Sequence, residues 1–243
     1  MTMTKHSGLG AAVAALVLAL ATPAAAAPLI LNGSFESGFT SWTRANQLGS
    51  EGTFALQSGT LSPVNGIPVP APTGGTVAAM TDAEGPGTHV LYQDFVIPVG
   101  TVSGTLSFDV FVGNRAGAFS TPNTLDFSTP ALNQQARVDI LRTSADPFSV
   151  AAADVLANVF VTSLGSPLVT GYNPITTNLS ALLAANAGQT LRLRFAEVDN
   201  VNLFQFGVDR VSLDASNTVP EPATLSLLGL GLGGLLARRR RAA

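Results

Sequence analysis

The sequence contains no cysteine. This absence excludes a disulfide framework and any mechanism that needs a thiolate nucleophile or thiolate metal ligand. Histidine is almost as scarce, with only His6 and His89. Because His6 lies in the N-terminal segment, His89 alone would have to serve any Ser-His-Asp arrangement. No H-E-x-x-H or G-x-S-x-G segment is present. Paired carboxylates such as Asp82 and Glu84 are the remaining route to catalysis, and the composition favours a protein that is not an enzyme.

Lysine occurs once, at Lys5, and the other basic residues are arginines. Between residues 27 and 218 the chain holds seven arginines and fourteen acidic residues, a net charge of about −7. A lysine-free, acidic domain lacks the basic footprint that nucleic acids and anionic lipids require. The composition therefore predicts that neither is a partner.

The N-terminus has the layout of a cleavable secretion signal. Lys5 gives it a positive start, residues 10–21 are an almost unbroken apolar run, and Pro23 is followed by small residues. Such a segment ending in small residues is typical of a signal peptide. Residues 1–26 are predicted to form a signal helix that is removed on export.

The C-terminus carries a second apolar segment, residues 223–237, between a Pro-Glu-Pro motif and an arginine cluster. Fifteen helical residues reach about 22 Å, short of a hydrocarbon core of about 30 Å. The arginines would hold one end on the cytoplasmic side. Residues 219–243 are therefore interpreted as a short hydrophobic helix that anchors the protein only transiently in the inner membrane.

This ordered tail resembles the PEP-CTERM sorting signal. The resemblance implies export in a Gram-negative bacterium that makes extracellular polysaccharide, and processing by an exosortase, a membrane transpeptidase-like cysteine enzyme. The implied destination is the cell surface or the extracellular matrix. The residues that carry the resemblance are Pro220, Glu221, Pro222, Arg238, Arg239, Arg240 and Arg241.

The middle of the chain, residues 27–218, alternates apolar and polar residues with a period of two, which is typical of half-buried antiparallel strands. Turns rich in Gly, Pro, Asn and Ser separate these stretches, so the pattern predicts an all-β domain, a jelly roll or β-sandwich. Two stretches are predicted to be loops, 58–75 and 113–130, and one short helical turn is predicted after Asn178. The predicted strands are 77–80, 89–97, 105–112, 136–141, 155–161, 190–195 and 204–213.

The two ends of this domain resemble carbohydrate-binding modules of the family 4/9, galactose-binding-like type. Residues 31–38 read LNGSFESG with Trp42 shortly after, and residues 206–213 read FGVDRVSL. The resemblance implies a calcium site in which Glu36 and Asp209 are ligands, since calcium takes six to eight oxygens. An alternative is that Glu36 caps a turn and Asp209 pairs with arginine.

A sugar site needs an aromatic surface beside hydrogen-bonding groups. Trp42 stands where the family has a structural tryptophan, so core packing is the favoured interpretation. The candidate ligand-binding residues are Tyr92, Gln93, Asp94 and Tyr172.

These observations predict an exported, non-enzymatic surface or matrix protein that binds polysaccharide through a calcium-stabilised sandwich. A structural or adhesive protein without a sugar site is the first alternative. A glycoside hydrolase with paired carboxylates is the second.

Overall fold

The computed structural model of the protein describes residues 28–217. These residues form ten strands and one short helix. In chain order they are β1 (Thr43–Asn46), β2 (Phe54–Ser58), β3 (Val77–Thr81), β4 (Gly87–Val96), β5 (Thr101–Asn114), β6 (Gln134–Arg142), β7 (Val155–Val161), β8 (Asn173–Asn178), α1 (Ser180–Ala185), β9 (Thr190–Asp199) and β10 (Phe204–Asn217).

The strands build two five-stranded antiparallel sheets. Sheet A has the spatial order β1-β4-β9-β6-β7, and sheet B has the order β2-β3-β10-β5-β8. The two sheets enclose one large apolar core. The predicted all-β sandwich is therefore confirmed, while the two predicted terminal helices lie outside the described residues. Within residues 28–217 the one helix, α1, is too short to cross a membrane.

Alternation along the strands explains the core. In β9, Leu191, Leu193 and Phe195 point inward, and in β10, Phe206 and Val208 do the same. Trp42 lies among them, 7% exposed, with its ring 6.0 Å from that of Phe195. Its indole N–H donates to the carbonyl of Asn32, so the predicted core role of Trp42 is confirmed.

A β-bulge interrupts β10 at the point where the family-like motif lies. The register against β5 shifts between Asp209 and Ser212, and Arg210 has a φ of 51°. Because the bulge adds a residue to one strand, Val208 and Val211 both belong to the core. Asp209 and Arg210 lie between them, and both side chains face the outer side of sheet B. Asp209 accepts hydrogen bonds there from the backbone N–H groups of Thr73 and Gly74. Arg210 is largely exposed.

All seven predicted strands are present, and the predicted helical turn is α1. The side chain of Asn178 accepts a hydrogen bond from the N–H of Ser180, and Leu183 is buried against the core. Three strands were not predicted: β1, β2 and β8. Each is a short strand at a sheet edge, and β1 and β8 are largely polar.

Candidate functional site

The outer face of sheet A carries a second apolar cluster, separate from the core. Its buried members are Val90, Leu125, Ala196 and Val198. Partly exposed apolar side chains surround them, and we call this group the sheet A patch: Ala45, Tyr92, Phe127, Phe148 and Val150. Three of the five are aromatic, so this face offers apolar area and ring surface to solvent.

Tyr92 is held in place by a charged pair on its own face of the sheet. Asp94 and Arg192 are register partners on β4 and β9, and two hydrogen bonds of 2.7 and 3.0 Å join their side chains. The guanidinium carbon of Arg192 lies 4.1 Å from the centre of the Tyr92 ring. The hydrogen bonds that Arg192 donates to Asp94 raise the pKa of Arg192, although burial opposes the shift. This arrangement fixes the ring through stacking and places a carboxylate that is 39% exposed beside it.

Phe148 is positioned by a buried arginine. Arg194 donates hydrogen bonds of 2.7 Å to the carbonyls of both Pro147 and Ser149, the residues on either side of Phe148. Its guanidinium also pairs with Asp139, and both side chains are fully buried. A loop that carries an aromatic is thereby tied to the centre of the sheet.

Asp139 keeps its charge in this buried position. Burial by itself would raise its pKa, but hydrogen bonding from Arg137 and the charges of Arg194 and Arg137 outweigh burial and lower it. Arg137 contributes two hydrogen bonds of 2.7 Å, and the Asn158 side chain adds a third. The carboxylate is thus fully partnered and holds the arginines that organise the patch.

The outer face of sheet B is covered differently, by a proline-rich loop formed by residues 59–75. Val69 of this loop packs on Met80 and Phe111, and the partly buried Tyr172 packs against the same cluster. The Tyr172 hydroxyl donates to Oε1 of Gln57 at 3.2 Å. Burial raises the pKa of Tyr172, and the charges of Asp209 and Asp109 add to the shift.

Three carboxylates hold the proline-rich loop and the residues that follow it by accepting hydrogen bonds from backbone N–H groups. Asp82 accepts from Val64 and Asn65, Asp209 from Thr73 and Gly74, and Glu36 from Thr76 and Val77, at distances of 2.7 to 2.8 Å. The backbone hydrogen bonds from Thr76 and Val77 lower the pKa of Glu36.

Close approach at the end of the loop requires glycine. A Cβ at Gly75, whose φ is +125°, would lie 2.5 Å from a Glu36 carboxylate oxygen. One at Gly74 would lie 2.5 Å from the Arg210 side chain and 2.9 Å from a carboxylate oxygen of Asp209. The glycine pair therefore allows the loop backbone to reach both carboxylates.

The predicted ligand-binding residues do not form one group. Tyr92 and Asp94 lie together on the outer face of sheet A. Gln93 points the other way and bonds both backbone groups of Leu31, its Oε1 accepting at 2.7 Å and its amide donating at 2.9 Å. Tyr172 lies on sheet B under the proline-rich loop.

The predicted calcium ligands do converge, on the same loop. As folded, however, N–H donors occupy the carboxylate oxygens of Glu36 and Asp209 that a cation would need. Within residues 28–217, no group of three or more His, Asp or Glu side chains is placed to hold a metal ion. This arrangement does not fit a calcium cage, and calcium binding stays a prediction.

Of the two carboxylates considered for catalysis, Asp82 and Glu84, the first is held by hydrogen bonds from its own surroundings. Asp82 is buried, and burial alone would raise its pKa, but hydrogen bonds from Ser62, Asn65 and Val64 lower it. An ionised carboxylate held by its own loop is poorly suited to act as a general acid.

Sequence reasoning missed Phe127, Phe148 and the roles of Arg192 and Arg194. Arg192 and Arg194 occupy the polar positions of the alternating segment 190–195, and this pattern predicts only that they face away from the core. The two phenylalanines lie in loops, where no periodic signal marks them.

Comparison with known proteins identifies the tail. Residues 218–241 match the family model of the PEP-CTERM protein-sorting motif. The chain therefore carries the C-terminal signal of proteins that are exported and sorted to the surface, as the sequence predicted. No curated protein matches the chain.

Several solved structures resemble the chain at low identity. The enzymatically active domain of bacteriophage CBA120 tailspike protein 4 has 10% identity and a TM-score of 0.44 over 78% of this chain, which spans only 21% of that one. TmCBM61, solved with β-1,4-galactotriose, has 10% identity and a TM-score of 0.44 over 79% of this chain and 99% of its own. A CBM4 carbohydrate-binding module has 15% identity and a TM-score of 0.38 over 75% and 100%. These values carry no functional argument.

Proposed function

We propose that this exported protein binds extracellular polysaccharide through the sheet A patch and has no catalytic activity of its own. We also propose that an exosortase-type membrane enzyme processes its C-terminal signal. The protein then acts at the cell surface or in the extracellular matrix, where the ligand is found.

The observation that supports this function is the set of partly exposed rings on the outer face of sheet A, with Tyr92 on β4 and Phe127 and Phe148 in the loops that pack on it. Sugar rings present apolar C–H faces, and aromatic side chains offer matching apolar area at little cost in conformational entropy. Asp94 and Arg192 beside Tyr92 supply hydrogen-bonding groups for hydroxyls.

Pre-organisation also favours this surface over others. The stacking of Arg192 on Tyr92 and the two hydrogen bonds from Arg194 around Phe148 fix the patch before any ligand arrives. A site that is already ordered loses less entropy on binding. On sheet B, by contrast, the proline-rich loop already covers the corresponding aromatics.

Affinity gel electrophoresis against a panel of soluble neutral and acidic polysaccharides tests the proposal. We expect at least one polysaccharide to retard the protein. Replacing two aromatics of the patch, Tyr92→Ala with Phe148→Ala, should weaken binding about thirtyfold, since each aromatic contact contributes on the order of 1 kcal/mol.

The matched control is the double variant Leu61→Ala and Val64→Ala. These side chains are 54% and 66% exposed on the proline-rich loop, so this variant should be retarded like the wild type. No retardation by any polysaccharide, or equal retardation of the wild type and the Tyr92/Phe148 variant, would contradict the proposal.

A further inference from the structure

A row of polar side chains lies inside the sandwich at one end of sheet A. On β9, Glu197 and Asp199 continue the inward-facing positions of Leu193 and Phe195. The register places Glu197 opposite His89 of β4, and Asp199 opposite Gly87 of β4 and Gln134 of β6. The interior of the sandwich therefore becomes acidic at this end.

Glu197 is the least satisfied member of this row. Its side chain is 1% exposed, and its Oε1 has no hydrogen-bond partner. None of the ion pairs formed within residues 28–217 includes it. A buried ionised carboxylate without a counter-ion is strongly disfavoured, and such a group keeps its proton instead.

The surrounding groups offer no positive charge. His89 faces Glu197 from β4, and burial lowers the pKa of His89 to about 4, although the Glu51 carbonyl opposes the shift. Asp199, on the same strand as Glu197, is a negative charge that acts on Glu197, and Glu51 is a further negative charge that acts on Asp199. Glu84 lines a cavity of about 100 Å³ together with Asp199. From β3, the neutral Thr81 hydroxyl contacts Glu197.

We propose that Glu197 and Asp199 form an internal proton-binding site, which makes the folded domain most stable in mildly acidic surroundings and less stable as the pH rises. This inference does not depend on the proposed ligand, because it concerns only the interior of the sandwich. For an exported protein, such a site couples the stability of the fold to the pH outside the cell.

The direction follows from proton linkage. Burial raises the pKa of Glu197 well above its ordinary value, with the Asp199 charge adding to the shift, and burial raises the pKa of Asp199 to about 7. The folded state then keeps protons that the unfolded chain releases above about pH 4.5. Their stabilisation is present in acid and is lost as the pH rises towards the folded-state values.

His89 opposes this trend below about pH 6.5, because there the unfolded chain binds a proton that the folded state refuses. The lowered pKa values of Glu36, Asp82, Asp126 and Asp139 affect stability only in stronger acid. Tyr172 affects it only in strong alkali. The window between about pH 6.5 and 9 therefore reports on Glu197 and Asp199.

Denaturant unfolding of the full-length protein across this window tests the site. Each retained proton raises the unfolding equilibrium constant by up to about tenfold per pH unit. We expect this rise in the wild type. In Glu197→Gln, which keeps the shape of the protonated acid, the slope of the logarithm of the unfolding constant against pH should be smaller by about one proton. The exposed Glu84→Gln should keep the wild-type slope.

A flat wild-type profile, or equal slopes in the wild type and Glu197→Gln, would overturn the proposal. If Glu197→Gln does not fold, the wild type still decides the question through a carbon-13 NMR titration of the glutamate carboxyl groups. One glutamate should remain protonated at about pH 7. Titration of every glutamate below about pH 6 would overturn the proposal as well.

Discussion

The outer faces of the two sheets use the same residue type in two different ways. On sheet A, Asp94 and Asp139 pair with arginines that lie on neighbouring strands. On sheet B, Asp82 and Asp209 bind backbone N–H groups of a loop from the same chain. The same carboxylate chemistry therefore joins strands to each other on sheet A and fastens a covering loop on sheet B.

On sheet A, Asp94 pairs with Arg192 within the sheet, while Arg194 also binds the backbone of the loop that carries Phe148. Tyr92, Phe127 and Phe148 nevertheless stay partly exposed on this face. The carboxylates on sheet B bring residues 59–75 down over Phe111 and Tyr172. The open face is the one suited to a ligand, and the closed face contributes to stability.

The largest effect should come from the buried pair on sheet A. Asp139→Ala leaves Arg194 buried without its partner, so we expect a loss of about 3–5 kcal/mol in the free energy of unfolding. Denaturant unfolding at neutral pH measures it. Because the Asp139 pKa is lowered in the fold, the contribution of the pair should also fade in acid, as the pH falls through that lowered value.

Asp94→Ala is the matched control for this comparison. Asp94 is 39% exposed, and exposed pairs contribute about 0–1 kcal/mol. Equal losses in the two variants would show that burial does not distinguish the two pairs.

A smaller effect is expected on sheet B. Asp209→Ala removes the acceptor of the Thr73 and Gly74 N–H groups, and we expect a loss of about 1–3 kcal/mol. Hydrogen exchange in residues 60–76 should accelerate, because the loop loses one of its anchors. Asp214→Ala, at an exposed position of the same strand, should change neither quantity, and unchanged exchange in Asp209→Ala would contradict the anchoring role.

The smallest effect concerns calcium. The calcium site implied by the sequence resemblance predicts that excess chelator lowers the melting temperature. The hydrogen bonds that N–H donors make to Glu36 and Asp209 predict instead that it stays unchanged. Differential scanning calorimetry with chelator and with added calcium measures it. A rise with calcium that Glu36→Gln abolishes would instead establish the metal site that the sequence resemblance implies.

Seven of the ten strands could be predicted from the sequence because most of their inward positions are apolar at every second residue. The strand β8 could not, since its sequence NPITTN is polar and contains Pro174, and only its pairing with β5 makes it a strand. The sequence likewise suggested Tyr92 and Asp94 as candidate ligand-binding residues, and both lie on the outer face of sheet A beside Arg192. It could not place Phe127 and Phe148, which reach the same face through loops whose positions depend on Arg194 and on tertiary packing.

The central claim is that ligand binds to the sheet A face and not to the sheet B face. An NMR titration tests this claim most directly. Amide chemical shifts of the protein are recorded as a fragment of a polysaccharide that retards it in affinity electrophoresis is added. We predict that the changes concentrate in β4, in residues 121–133 and in residues 143–150, with residues 59–75 unaffected. Changes concentrated in residues 59–75 would contradict the claim.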